Sequence, residues 1–143
     1  MKFYYPKLPT RNGKFVELPL VDVIFSFGRY FCLVDSGAEF CYFHGKIGEL
    51  LGLKVTEGRE IESQGITADK FTAYLHYVRF KIGGWDHEME VAFSYDLGTP
   101  FGILGREGFF NLFKVCFSHS QKEIELKPIH DLTKRGFKKE HEM

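Results

Sequence analysis

The sequence predicts a mostly β, single-domain protein that has one short helix and strands closing into a full or partial barrel. The chain has 143 residues, of which 44% are hydrophobic and 27% charged, a balance typical of one globular domain. Sixteen Phe and seven Tyr are many for this length, and aromatic side chains favour strands. About nine short segments have a strand pattern and only one has helical spacing, which is typical of a β-barrel.

The first half of the chain predicts an irregular entry, a hairpin and the helix. Two prolines and an Asn-Gly turn signal predict an irregular N-terminal segment over residues 1–14. Residues 15–27 alternate loosely, a tight turn follows at Gly28, and residues 30–34 return as a strand that ends at Asp35. Apolar residues at helical spacing over residues 46–51, just before Gly52, predict the short helix.

The second half returns to a β pattern. Residues 71–80 and 88–93 predict a hairpin around a Gly-Gly turn, and further strands are expected at residues 101–104, 113–117 and 122–126. The polar segment Ile61–Asp69 interrupts this pattern and indicates the exposed tip of a hairpin, with an ordinary surface turn as the alternative. We therefore expect one domain over residues 15–127 and a charged C-terminal tail over residues 128–143.

Composition excludes several classes of function. The formal net charge is zero, so no nucleic-acid or membrane partner is expected. No segment is long and apolar enough to span a membrane, and the start of the chain has no signal-peptide pattern. Three cysteines without CxxC spacing and six scattered histidines predict a cytoplasmic protein with reduced thiols, no metal and no cofactor.

Two stretches are unusual for a β protein. In the first, the apolar segment Phe31–Val34 runs directly into Asp35, which Ser36, Gly37 and Ala38 follow. Burying an unpaired carboxylate costs several kcal/mol, so the acid must be partnered or used. In the second stretch, Gly105 follows the apolar pair Ile103 and Leu104. A glycine at that place indicates that another backbone passes very close.

These stretches carry a resemblance to a known family. Residues 33–38, Leu-Val-Asp-Ser-Gly-Ala, resemble the first signature of retropepsin-like aspartic proteases, and residues 102–106, Gly-Ile-Leu-Gly-Arg, resemble the second. The predicted helix at residues 45–51 and the polar tip at residues 61–69 fall where such enzymes carry a helix and a flap. The resemblance spans roughly residues 15–126, and it implies a retropepsin-like acid-protease barrel.

The resemblance also implies a reaction and an assembly. Such enzymes hydrolyse peptide bonds with two aspartates that share one proton and activate one water, without a metal. This chain contains a single Asp-Ser-Gly, at Asp35. One acid per chain requires two chains, so the resemblance implies an aspartic endopeptidase that acts on peptides or proteins as a homodimer.

The resemblance assigns a role to each remaining residue of the motifs. Ser36 is expected to hydrogen-bond across the dimer axis, Gly37 to let the substrate backbone approach, and Ala38 to leave room beside the substrate. Glu39 and Arg106 are expected to form an ion pair that stabilises the loop and the dimer edge. The strand that packs beside the loop is expected to contain Ile103, Leu104 and Gly105. The tip of the flap is expected to contain Gln64, Gly65 and Ile66.

Three other interpretations remain open at the level of sequence. Asp35 could be a structural acid that caps a turn. The chain could be a non-catalytic dimeric module that binds peptides or proteins and retains the acid-protease fold. It could also be a β-rich part of a larger assembly, an idea that draws only on the charged tail.

Overall fold

The computed structural model describes residues 1–65 and 68–129. These residues form two short α-helices, α1 (Gly45–Leu50) and α2 (Phe109–Leu112), and 3₁₀ turns at Val55–Glu57 and His119–Gln121. Their strands are β1 (Lys2–Tyr4), β2 (Lys7–Pro9), β3 (Phe15–Glu17), β4 (Leu20–Phe25), β5 (Gly28–Val34), β6 (Tyr42–His44), β7 (Arg59–Gln64), β8 (Lys70–Ile82), β9 (Trp85–Ser94), β10 (Gly102–Leu104), β11 (Phe113–Ser118) and β12 (Glu123–Pro128). None of the described helices is long and apolar enough to cross a membrane.

The main sheet has seven strands in the order β4-β5-β10-β6-β9-β8-β7. A further pairing of β4 with β8, at Ile24 and Lys81, folds this sheet back on itself. The predicted mostly β barrel is therefore confirmed. Two neighbours flank β5: β4 is antiparallel to it, and β10 is parallel to it with Leu33 opposite Ile103 and Val34 opposite Leu104.

The sequence predicted one short helix, and the structure contains a second one that is a single turn long. The second helix, α2, follows Gly108, whose φ of 106° lies in a region that residues with a side chain rarely adopt. One turn of helix at this point brings Phe109 into the core, where it is fully buried. A helix of four residues is too short to give the periodic pattern that identifies helices in a sequence.

The N-terminal segment, predicted to be irregular, contains two strands. β1 pairs with β12, with Lys2 opposite Glu125, and β2 pairs with β3. The prolines do not prevent this, because Pro6 lies between the two strands and Pro9 ends the second. Most of the predicted charged tail, from residue 130 onward, lies outside the described residues.

A separate three-stranded sheet, in the order β1-β12-β11, brings the two ends of the described domain together. The Met1 amine donates to the Leu126 carbonyl at 2.9 Å, and the Leu126 N–H donates back to the Met1 carbonyl at 2.8 Å. Each described end of the domain is thus paired within one chain.

The buried side chains form two clusters. The larger one fills the barrel and contains all of the buried phenylalanines among the described residues, which are Phe25, Phe43, Phe80, Phe93, Phe109 and Phe113. The smaller cluster consists of Tyr42, Ala73, Leu75 and Ala92, and further apolar side chains pack against it, including Ala38 and Ile103. This second cluster lies next to the loop that follows β5.

His87 is a buried ionisable group that packs against the larger cluster, with only 1% of its surface exposed. Its ring lies edge-on to Phe113, with centroids 5.2 Å apart. Burial lowers the pKa of His87 from its usual 6.5 to about 4, although a backbone hydrogen bond at Ile82 and the nearby Asp86 act in the opposite direction. The folded protein therefore keeps His87 neutral at pH values where an unfolded chain would protonate it.

We expect this histidine to make folding stability depend on pH. As pH falls from about 6.5 to about 4, the unfolded chain gains a proton that the folded chain does not, so stability decreases by up to ~3 kcal/mol. Denaturant titrations across this range should show a smaller decrease for His87→Phe than for the natural chain. The exposed His119 provides the control, since His119→Gln should keep the full decrease. Equal slopes in all three proteins would contradict the prediction.

Candidate active site

The loop that carries Asp35 is fixed by backbone hydrogen bonds to its neighbours. The Asp35 N–H donates to the Leu104 carbonyl at 3.0 Å, which extends the pairing of β5 with β10 by one residue. The Gly37 N–H donates to Oδ1 of Asp35 at 2.9 Å, and the Ala38 N–H donates to the Asp35 carbonyl at 3.2 Å. The carboxylate is thus held by its own turn.

The acid is less buried than its place after an apolar strand predicts. Asp35 is partly exposed in the single chain, and Ser36 and Gly37 are exposed. The strand itself supplies the buried residues, Cys32 and Val34. The chain leaves the barrel wall at the end of β5, so the Asp35 carboxylate lies at the mouth of a groove. In the single chain the carboxylate is therefore accessible to water.

Gly105 allows the chain that follows β10 to run against this loop. A Cβ on Gly105 would lie 2.7 Å from the Ala38 carbonyl oxygen and still closer to that of Phe40. Beyond it, the Arg106 N–H donates to the Ala38 carbonyl at 2.9 Å, and the Glu107 N–H donates to the Glu39 carbonyl at 2.7 Å. The two backbones lie so close together that there is no space for a side chain at Gly105.

Arg106 contacts the loop in a different way from the one predicted. Its guanidinium donates to the Ser36 carbonyl oxygen at 2.9 Å, and no ion pair joins it to Glu39 in the described part of the chain. The backbone bond from Arg106 to Ala38 brings its side chain alongside the loop, where a carbonyl oxygen is within reach. The predicted ion pair is therefore replaced by a hydrogen bond to the loop backbone.

A groove of about 760 Å³ opens beside Asp35. Eight of the predicted site residues line it: Asp35, Gly37, Ala38, Glu39, Gln64, Gly65, Ile103 and Arg106. Ser36, Leu104 and Gly105 are not part of the lining, and Leu104 is fully buried beneath it. Ile66 lies outside the described residues. The groove thus brings together the two motifs and the polar hairpin tip.

The hairpin of β7 and β8 covers one side of the groove. The two strands pair as far as Gln64 and Lys70, and the Gly65 N–H donates to the Asp69 carbonyl at 3.2 Å. The Gln64 side chain donates to the Ala68 carbonyl at 3.0 Å. Of the segment Ile61–Asp69 that was predicted to be a hairpin tip, residues 61–64 therefore belong to β7, and only residues 65, 68 and 69 of the described chain lie between the two strands.

Tyr42, Phe71 and Leu97 had no predicted place in the site, whereas Glu62 and Ser63 lie in the polar segment that the resemblance assigned to the flap. Apolar and aromatic side chains, together with one serine and one acid from β7, complete the lining: Tyr42, Glu62, Ser63, Phe71 and Leu97. Tyr42 lies on β6, whose three residues are too few to give an alternating pattern. Phe71 was placed in a strand, but only the pairing of that strand shows that its side chain reaches the groove.

The charged side chains of the groove are mainly acidic. Asp35, Glu39 and Glu62 line it together with a single base, Arg106, and the guanidinium of that base is directed at the loop backbone. Among the described residues no group of three or more His, Cys, Asp or Glu side chains could hold a metal ion. A groove of this volume, with apolar side chains in its lining and an acid at its mouth, lies within the range of volumes at which proteins bind ligands.

Comparison with known proteins supports the fold assignment. The chain is similar to the crystal structure of a retropepsin-like aspartic protease from Rickettsia conorii, with a TM-score of 0.59 and 16% sequence identity over 88% of this chain and 89% of that one. No family model matches the sequence, and no curated protein matches it. The similarity shows that the chain has a retropepsin-like fold.

Proposed function

We propose that this protein is an aspartic endopeptidase that is active as a homodimer. One observation carries the proposal: Asp35 lies at the mouth of a groove covered by a hairpin, on a fold that an aspartic protease shares. The loop motif at Asp35 and the second motif at Gly105 lie side by side, as a catalytic loop and its support would require.

The reaction needs a second carboxylate, which a second copy of the chain would supply. Two facing aspartates share one proton because their charges repel. The ionised one takes a proton from a water, whose oxygen attacks the peptide carbonyl carbon, while the protonated one donates to the carbonyl oxygen. The tetrahedral intermediate then collapses: its carbon–nitrogen bond breaks, the departing nitrogen takes a proton from the pair, and one hydroxyl of the intermediate returns a proton to the pair as the carboxylic acid forms.

The described residues support this chemistry by fixing the acid in place. The Gly37 N–H orients one oxygen of the Asp35 carboxylate, and Arg106 holds the carbonyl of the next residue, Ser36. Because the Ser36 side chain is exposed in the single chain, its hydroxyl is available to a partner. We propose that it bonds across the dimer axis and that Asp35 meets its counterpart there.

The substrate we propose is an extended peptide lying between the hairpin and the groove floor. Tyr42, Leu97 and Ile103 make this floor apolar, and Phe71 adds an apolar side chain from the hairpin, so apolar side chains should flank the bond that is cut. Incubating the protein with a mixed peptide library over pH 3–7, followed by mass spectrometry, tests the proposal. New termini next to apolar residues would support it, whereas binding without cleavage would indicate a peptide-binding module.

Because each chain offers a single Asp-Ser-Gly, we expect activity to require two copies. Activity per chain should fall as the protein is diluted through its dissociation constant, and analytical ultracentrifugation should show dimers dissociating over the same range. An excess of the Asp35→Asn variant, added at a fixed concentration of natural chain, should also reduce activity, since mixed dimers hold only one acid. Activity per chain that is independent of both treatments would exclude a shared pair.

A further inference from the structure

We propose that Tyr42 is a positioning residue that holds both strands of the hairpin against the groove floor, an inference that rests on the proposed peptidase function. The Tyr42 hydroxyl lies 2.9 Å from Oγ of Ser63 on β7. The Tyr42 ring also makes an edge contact with Phe71 on β8, with centroids 5.6 Å apart at 64°. Ser63 and Phe71 are paired opposite each other, so one side chain contacts both strands at a single register position.

This position is where the support for the hairpin ends. The pairing of β8 with β9 begins only at Tyr74. Before that, two side chains hold the backbone of Thr72: its N–H donates to Asp96 at 3.3 Å, and the Ser94 hydroxyl donates to its carbonyl at 2.6 Å. The contacts of Tyr42 therefore mark the last point at which the floor holds the hairpin. The described residues beyond it, 64–65 and 68–70, are then the part of the hairpin that would move over a bound peptide.

The surroundings of Tyr42 make its hydrogen bond costly to break. The residue is only 6% exposed, and its ring also lies edge-on to Phe40. Burial is the main reason why the pKa of the Tyr42 phenol is raised, so the group stays a neutral hydroxyl throughout acidic and neutral pH. A buried hydroxyl that loses its partner is destabilised, so lifting the hairpin away from the groove floor at Ser63 is opposed.

Amide hydrogen exchange of the whole protein tests this without any substrate. In Tyr42→Phe and in Ser63→Ala, exchange in residues 62–65 and 68–72 should become about three- to tenfold faster, which is the effect of losing one hydrogen bond. Ser63→Thr keeps a hydroxyl at this position, so its amide exchange should stay as slow as in the natural chain. Tyr77→Phe, which removes an exposed hydroxyl from β8 outside the groove, should leave exchange unchanged. The double variant should exchange no faster than either single one, because both act through the same bond.

Kinetics then separates positioning from a merely structural role. The KM for a cleaved peptide should rise by the same three- to tenfold in Tyr42→Phe, with kcat unchanged, because the hairpin closes on substrate without touching the reacting atoms. Unchanged exchange at the hairpin, or an equal rise throughout the barrel, would overturn the inference, as would a loss in kcat alone. A protein without peptidase activity would refute the proposed function, and the exchange result would still decide whether Tyr42 holds the hairpin.

Discussion

Asp35→Asn should lower kcat/KM for peptide hydrolysis by at least about a thousandfold, because it removes the group that exchanges protons with the water and the peptide. The variant should fold normally. Asparagine has nearly the same shape as aspartate, and its side-chain oxygen can still accept the hydrogen bond from the Gly37 N–H, which is 2.9 Å from the carboxylate. Steady-state cleavage of a peptide found in the library screen measures the loss, and the unfolding midpoint checks the fold.

A matched aspartate variant controls for the loss of one negative charge. Asp22 lies on β4 in the same sheet and forms an ion pair with Arg29 at 3.3 Å, outside the groove. Asp22→Asn should keep activity within about twofold, since the pair is partly exposed and lies outside the groove, and surface ion pairs contribute at most about 1 kcal/mol to stability. Substantial turnover by Asp35→Asn would refute the aspartic mechanism, whatever the fold of the chain.

Gly105→Ala should cause the largest loss of stability of any conservative change near the groove. The new methyl group would lie 2.7 Å from the Ala38 carbonyl oxygen and closer still to that of Phe40, and backbone atoms cannot rotate away as a side chain can. Overpacking of this kind costs typically 1–3 kcal/mol and sometimes more. We expect a cost of about 3 kcal/mol, which lowers the midpoint of thermal unfolding by about 10 °C in a chain of this size.

Gly98 offers the matched control, because a Cβ there would meet no atom within 4 Å. Gly98→Ala should leave the midpoint within about 2 °C of the natural chain. Because the strain at Gly105 acts on the loop that holds Asp35, any Gly105→Ala protein that folds should also lose peptidase activity. A Gly105→Ala protein as stable as the Gly98→Ala protein would show that the loop and the chain after β10 do not pack as described.

The elements that could be predicted from the sequence are those whose pattern is long or chemically distinct. The strand before Asp35 is marked by an unbroken apolar run, and the hairpin of β8 and β9 by long alternation around a Gly-Gly turn. The acid and Gly105 were visible because each is an unusual residue to find at the end of an apolar strand. Such features are local, so a single sequence contains them.

The features that were missed depend on partners far away in the chain. β1 is a strand only because β12 pairs with it, and three residues give no pattern of their own. The contact of Arg106 with the Ser36 carbonyl depends on how two loops pass each other. The sequence shows only the charges of the side chains, and these pointed to Glu39 as the partner. Tyr42 was missed for the same reason, because its role comes from the hairpin that folds over it.

The pairing of β1 with β12 also has a consequence for the order in which the protein folds. Lys2–Tyr4 leaves the ribosome before the strands of the barrel, whereas Glu123–Pro128, its partner in the sheet, is among the last of the described residues to be made. The first strand must therefore wait, with its backbone groups bonded to water, until nearly all of the barrel has been synthesised. Contacts between such distant segments carry the largest loop-closure cost and form slowly. The three-stranded sheet can therefore be completed only after the barrel strands that lie between its two partners in the sequence have been translated.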